Sequence, residues 1–276
     1  MSKKKTIIFI IIFLLVLAAL VAGIILTGNS GGEEADIQTT MKDAVLHETY
    51  KVNLFGMEVN PGLISAFCVT GVFLIFCLIV RIFVIPRFKK IPGKFQSFLE
   101  MMVGLFSNMA KTNSPHMNGF LGGYIFTAGA YIFVSTLFEL IGVQVISTSG
   151  KSLSLPAPLS DINGAIMLGC LSYLIILSGG IVANGLKGVG KTLKDFSLPI
   201  SMSFRLFGAL LSGALVTELV YHFKLTSYGF PIIVAVLFTL LHALIQAYVL
   251  TTLTSTFYGE VSEKSVKKPK AVKAKG

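Results

Sequence analysis

The stretch AIMLGCLSYLIILSGGIVANG, residues 165–185, decides the fold class. Nearly every position is apolar or small, and about twenty such residues cross the hydrocarbon core of a bilayer as one helix. A second largely apolar stretch, SMSFRLFGALLSGALVTELV (residues 201–220), follows after a short connector. Charged residues make up 13% of the 276 residues, whereas soluble domains contain roughly one quarter. The sequence therefore predicts an all-α polytopic membrane protein.

The connector between these stretches contains a nucleotide-binding signature. The G-x-x-x-x-G-K-T pattern of a P-loop is formed here by Gly185, Gly190, Lys191 and Thr192. A working P-loop follows a β-strand and opens a soluble helix, so that backbone N–H groups and the lysine close on phosphates. Here both flanks are membrane segments, and no aspartate motif follows an apolar strand to hold Mg²⁺. We therefore predict that this motif binds no nucleotide.

With these two stretches included, apolar runs predict five membrane helices after residue 60, at residues 62–85, 117–145, 162–184, 197–221 and 230–258. The first run, residues 6–26, follows three lysines and is either a retained helix or a signal peptide. Its apolar core exceeds the usual length of about 7–15 residues and no clean cleavage site follows, which favours a retained helix. About six membrane helices result, the last two of them long.

The predicted organisation has four parts: an N-terminal membrane helix at 1–29, an external polar segment at 30–60, a membrane channel or stator domain at 61–260, and a Lys-rich cytoplasmic tail at 261–276. An additional helix is predicted in IPGKFQSFLEMMVGLFSNMAK, residues 91–111. Its apolar residues recur at helical spacing and its charged residues lie elsewhere, as in an amphipathic helix on the inner membrane surface. The apolar residues are Phe95, Phe98, Leu99, Met102, Val103 and Phe106.

The net charge of +10 follows the membrane topology. Lysines and arginines gather on alternate loops and at both ends of the chain, as the positive-inside rule requires. Both termini are therefore predicted to be cytoplasmic, and no nucleic-acid partner is needed to explain the charge. Cys68, Cys77 and Cys170 lie inside apolar runs, so neither a disulfide nor a metal site is predicted. No cofactor is expected.

Several polar residues lie within the predicted membrane helices, where a charge costs several kcal/mol and is usually functional. They are Arg205, Glu218, His222, His242, Gln246 and Glu139. Arg205 is the most informative because its guanidinium stays charged at any biological pH. The alternative is that Arg205 is structural and extends to the interface.

Helical spacing groups the other polar residues. Arg205 and Glu218 are thirteen residues apart, about 20 Å along a helix, so they cannot form an ion pair. Glu218 and His222 share one helix face, as do His242 and Gln246. Carboxylates and imidazoles exchange protons near neutral pH once burial or neighbouring groups shift their pKa, so such groups can line an ion path. The alternative is an ordinary hydrogen-bonded cluster.

Three segments resemble the a subunit of F-type ATP synthases. SMSFRLFGALLSGALVTELV is similar to the family's S-L-R-L-F-G-N pattern, whose essential arginine corresponds to Arg205. The family's L-Q-A-F-V-F segment is similar to HALIQAYVLTTLTSTFYGEVSE, residues 242–263, with Gln246 at the position of the family's glutamine. The family's P-G-K-x-Q-x-x-x-E stretch is similar to IPGKFQSFLEMMVGLF. The chain departs from the pattern at Ala214, which replaces an acidic residue one turn before Glu218. Thr239 takes the position of a further polar partner.

This resemblance implies the stator of a rotary ion channel with no active site of its own. Protons or sodium ions would enter and leave through two half-channels, with Arg205 facing a carboxylate on a ring of c subunits. The remaining polar residues listed above would line the ion path. The implied partners are the c ring, the b subunits and the rest of the F1Fo complex, in a bacterial cell membrane. The alternatives are an ion-coupled secondary transporter and a non-transporting membrane assembly subunit.

Overall fold

The computed structural model of the chain describes residues 11, 12, 14–16, 18, 19, 22, 52–54, 57–142, 144–146, 152–222 and 230–264. The described positions between 11 and 22 are helical. The rest of the predicted N-terminal helix, most of the external segment and the tail beyond residue 264 lie outside the described residues, as does the turn near residue 226.

Helices dominate the described part, which confirms the predicted all-α polytopic class. The helices are α1 (Pro61–Ile79), α2 (Lys94–Asn113), α3 (Gly119–Ile141), α4 (Ile162–Asn184), α5 (Leu186–Leu193), α6 (Ser197–His222) and α7 (Phe230–Ser262). Five segments of the described chain are long and apolar enough to span a membrane: Pro61–Arg87, Gly119–Ile141, Ile162–Asn184, Ser197–Thr217 and Ile232–Ser262. They coincide with the five predicted runs after residue 60.

The ends of α1 follow from local chemistry. The side chain of Asn60 accepts a hydrogen bond of 2.9 Å from the backbone N–H of Gly62, and Pro61 takes the first helical position, where no N–H is needed. After Ile79 the helix loosens into a π-helical turn, Val80–Val84, and then tightens into a 3₁₀ turn, Ile85–Arg87. Pro86 explains the change because it has no N–H to donate and its ring crowds the preceding turn.

Two short hairpins accompany the helices. Strands β1 (Val52–Leu54) and β2 (Met57–Val59) pair antiparallel, as do β3 (Gln144–Ile146) and β4 (Ser152–Ser154). The span predicted at residues 117–145 is shorter in the structure, because α3 ends at Ile141. Gly142 follows with a φ of 61°, a left-handed conformation that ends helices and favours glycine. The segment after this helix therefore contains a pair of antiparallel strands.

The core of the bundle lies between α3, α4, α6 and α7. Its fully buried residues include Leu121, Ile125, Ile132 and Ile176. Gly129 brings α3 close to both α2 and α7, since a Cβ there would lie 2.9 Å from Phe106 and 3.0 Å from Thr251. By contrast α1 exposes most of its large apolar side chains, as expected of a helix that contacts lipid. The packed helices thus place α6 and α7 side by side, and these two helices contain all the polar candidate residues except Glu139, which belongs to α3.

Candidate ion-translocation site

Arg205 lies well inside a membrane span and on its surface. It is eight residues after the start of α6, about 12 Å along the helix axis and close to the middle of a bilayer. Its side chain is exposed, like that of the neighbouring Phe204. Within the part of the chain that the structure describes, no carboxylate forms an ion pair with its guanidinium. The charge is therefore exposed and has no carboxylate partner among the described residues.

Gln246 lies beside Arg205 on the adjacent helix. It occupies the midpoint of α7, and its side chain is only 8% exposed. The two residues line one recess between α6 and α7, whose other lining residues are Met202, Leu206, Val249, Leu250 and Leu253. An apolar rim thus surrounds one fixed cation and one neutral amide, which can both donate and accept hydrogen bonds.

His242 lies one turn before Gln246 on α7 and is half-buried. Its ring stacks edge-to-face on Phe238, with centroids 5.8 Å apart. Across the helix interface it faces Gly213 of α6, where a Cβ would lie 3.6 Å from the imidazole Nδ1. The sequence interpretation missed Gly213. Its signal was present, since a glycine inside a helical span suggests close approach of a neighbouring group.

Glu139 belongs to the last turn of α3 and is half-buried. The helices α3 and α7 run antiparallel and meet where Gly129 faces Thr251. Glu139 lies ten residues after Gly129, and His242 lies nine residues before Thr251. At 1.5 Å per residue both are about 14 Å from that contact and on the same side of it. Glu139 and His242 therefore occupy nearly the same depth in the bundle.

Glu218 and His222 occupy the last two turns of α6, and their side chains lie outside the described part of the chain. Their helix positions still give their depth. Glu218 follows Gly213 by five residues, about 7.5 Å farther from Arg205. The structure thus brings Arg205 and Gln246 together, places His242 and Glu139 at the next level, and puts the backbone of Glu218 and His222 beyond them.

The P-loop pattern has a different structure from a nucleotide site. Helix α4 precedes it where a strand would be needed, and α5 runs through Lys191 and Thr192, so the residues that would form the loop are helical. Thr192 is fully buried and its hydroxyl donates to the carbonyl of Gly188 at 3.0 Å. The Lys191 ammonium donates to the carbonyl of Glu263 at 3.0 Å. In this structure the groups of the motif thus serve helix packing, and the absence of nucleotide binding stays a prediction.

Lys191 belongs to a set of contacts that hold the last turn of α7. The amide of Asn184 donates to the carbonyls of Val261 and Glu263, each at 2.9 Å. Carbonyls at a helix end have no partner within the helix, so these bonds satisfy them. His116 contacts this end as well, with its Nε2 2.9 Å from the Ser262 hydroxyl. No role for His116 was predicted from the sequence.

These features define a polytopic helical membrane protein whose two long C-terminal helices present Arg205 in mid-membrane, with Gln246 beside it and His242 one turn away on α7. The chain matches the family described as ATP synthase A chain over residues 64–259 and belongs to that family. The match confirms the resemblance to the a subunit of F-type ATP synthases. The chain therefore takes part in ion translocation by the Fo sector of such a complex.

Proposed function

We propose that this chain is the stator of a rotary ATP synthase and provides two half-channels to a ring of c subunits. An ion enters one half-channel, binds a ring carboxylate, travels with the rotating ring and leaves through the other half-channel. Each unit charge that crosses the membrane releases about 2.3 kcal/mol per 100 mV, which drives rotation. The transported ion is a proton or a sodium ion.

The exposure of Arg205 carries the proposal. A permanent charge in mid-span costs several kcal/mol against hydrocarbon, and the described residues supply no anion to offset it. A carboxylate from a neighbouring subunit would do so. At a separation of about 4 Å and an effective dielectric constant of about 20, their attraction is about 4 kcal/mol. Arg205 would thereby favour the ionised carboxylate and force it to release its ion before it passes.

The same positive charge separates the two half-channels. A cation that moved directly from one to the other would have to pass Arg205, which repels it. The apolar rim around Arg205 and Gln246 leaves little polar surface for hydrated ions at that level. Ion flow is therefore coupled to ring movement.

The depth order of the other polar residues supports an outward half-channel. Gln246 lies level with Arg205, His242 and Glu139 follow, and Glu218 and His222 belong to the end of α6 that the positive-inside rule places outside. We assign Glu218, His222, His242 and Glu139 to this path. They would relay ions between the outside and the ring carboxylate near Arg205.

The half-channel assignment is tested in inverted membrane vesicles that contain the whole complex. We expect Glu218→Ala combined with His242→Ala to reduce ATP-driven ion uptake at least tenfold while the assembled complex remains. Leu219→Ala is the matched control, because Leu219 is an apolar residue on the same turn of α6 and should leave uptake unchanged. Normal coupled uptake in the double variant would contradict the assignment.

A further inference from the structure

A strongly basic segment connects α1 to α2 and is shaped for a lipid surface. We call residues 87–96 the basic elbow; it contains Arg87, Lys89, Lys90 and Lys94, all with exposed side chains. Arg81, six residues before Arg87 in the π-helical turn, adds a fifth positive charge. Glu100 is the nearest acidic residue in sequence, so the local charge is strongly positive.

The apolar residues of the basic elbow are exposed as well. Ile91 is 87% exposed at its tip, and Phe95 is 54% exposed in the first turn of α2. Phe98 continues the exposed apolar face along the helix. An apolar tip surrounded by lysines is the arrangement that enters the acyl region while its cations remain among the headgroups.

The shape of the basic elbow is fixed by one side chain. The amide of Gln96 donates to the carbonyl of Lys89 at 2.9 Å and accepts from the N–H of Lys89 at 3.1 Å. The same amide nitrogen donates to the Glu100 carboxylate at 2.8 Å. These bonds hold the backbone of Lys89 beside the start of α2, and they occupy one oxygen of the Glu100 carboxylate with the Gln96 amide.

The start of α2 adds a further preference for anions. Its N-cap, Gly93, has no side chain to accept hydrogen bonds from the first-turn N–H groups. Those groups and the helix dipole favour negative charge. A phosphate held by Lys89, Lys90 and Lys94 would complete the cap.

We propose that the basic elbow is a binding site for anionic phospholipids, which it selects over zwitterionic ones. The lysines and the uncapped start of α2 hold the headgroup, and Ile91 and Phe95 contact its acyl chains. This inference does not depend on the ion path. Juxtamembrane basic clusters of this size attract acidic lipids by about 1 kcal/mol per residue, which corresponds to about fivefold in relative affinity for each lysine.

The test uses the absence of tryptophan from the chain. Ile91→Trp introduces a single fluorophore at the tip, in the full chain reconstituted into phosphatidylcholine vesicles. Brominated phosphatidylglycerol and brominated phosphatidylcholine, with identical acyl chains, are then compared as quenchers. We expect the acidic lipid to quench at a several-fold lower mole fraction, and this preference to weaken as salt is added.

Substitutions of the lysines test whether their charge causes the preference for the acidic lipid. At about fivefold for each lysine, Lys89→Gln with Lys90→Gln removes about 25-fold and should abolish the several-fold preference, whereas Lys89→Arg with Lys90→Arg should retain it. Lys187→Gln with Lys194→Gln removes two lysines of the α5 region and is the matched control, with the preference unchanged. Equal quenching by the two lipids in the parent, or an undiminished preference after the Gln substitutions, would overturn the proposal.

Discussion

Replacing two glycines of α5 by alanine should have opposite effects on stability, and the comparison distinguishes a role in helix packing from a role in nucleotide binding. Gly188 is buried against α4, and a Cβ there would overlap the backbone carbonyl of Gly180. Gly190 is exposed on the same helix with nothing within 4 Å of a Cβ. In a P-loop the importance would be reversed, because Gly190 belongs to the motif and Gly188 occupies a variable position.

The magnitudes follow from these contacts. Gly190→Ala should stabilise the chain by about 0.5–1 kcal/mol, the usual gain from replacing a helical glycine. Gly188→Ala gains the same amount but meets backbone that no rotamer change can move, and overpacking of this kind costs about 1–3 kcal/mol or more. We therefore expect a net loss of about 1–2 kcal/mol.

The assay is thermal unfolding of the purified chain in detergent, together with ATP-driven uptake by the assembled complex. At about 2–4 °C per kcal/mol, Gly188→Ala should lower the midpoint by several degrees and Gly190→Ala should raise it slightly. Uptake should be normal in Gly190→Ala. If Gly190→Ala abolished uptake in an assembled complex of normal stability, the interpretation of α5 as a packing helix would be wrong.

Two further substitutions test the packing around the proposed ion path. Gly129→Ala should destabilise the chain by about 1–3 kcal/mol, because a Cβ there would overlap side chains of two neighbouring helices. Gly123→Ala on the same helix is the control, since its Cβ would meet nothing within 4 Å. Equal unfolding midpoints for the two variants would contradict this account. Gly213→Leu should displace the imidazole of His242 and reduce ion uptake. Gly213→Ala should be tolerated, because a Cβ 3.6 Å from the imidazole is in ordinary contact. Normal uptake in Gly213→Leu would show that uptake does not depend on the position of His242.

The membrane helices were predictable because long apolar runs need no tertiary information. The bounds predicted for the fourth span, residues 162–184, agree with α4. The span at residues 117–145 was predicted to continue to Val145, yet Gly142 takes a left-handed conformation and ends α3. Hydropathy alone does not distinguish the last turn of a helix from an apolar strand.

The site was predictable in its residue types but only partly in its geometry. Arg205 and Gln246 stand out in the sequence as polar groups in apolar helices, and the structure adds that they share a recess. That Gly213 faces His242 depends on the crossing of α6 and α7, which no local pattern specifies. Likewise the contact of His116 with Ser262 joins residues 146 positions apart, so its local polar surroundings gave no signal.

The most direct test of the central claim is ATP-driven ion uptake into inverted vesicles that contain the complete complex, with Arg205→Ala and Lys191→Ala compared with the unaltered chain. Loss of the fixed charge should abolish coupled uptake while the complex remains assembled, because nothing then forces the ring carboxylate to release its ion. Lys191→Ala should retain uptake, since its ammonium only holds the end of α7. Coupled uptake in Arg205→Ala, or its loss in Lys191→Ala alone, would contradict the stator mechanism proposed for this chain.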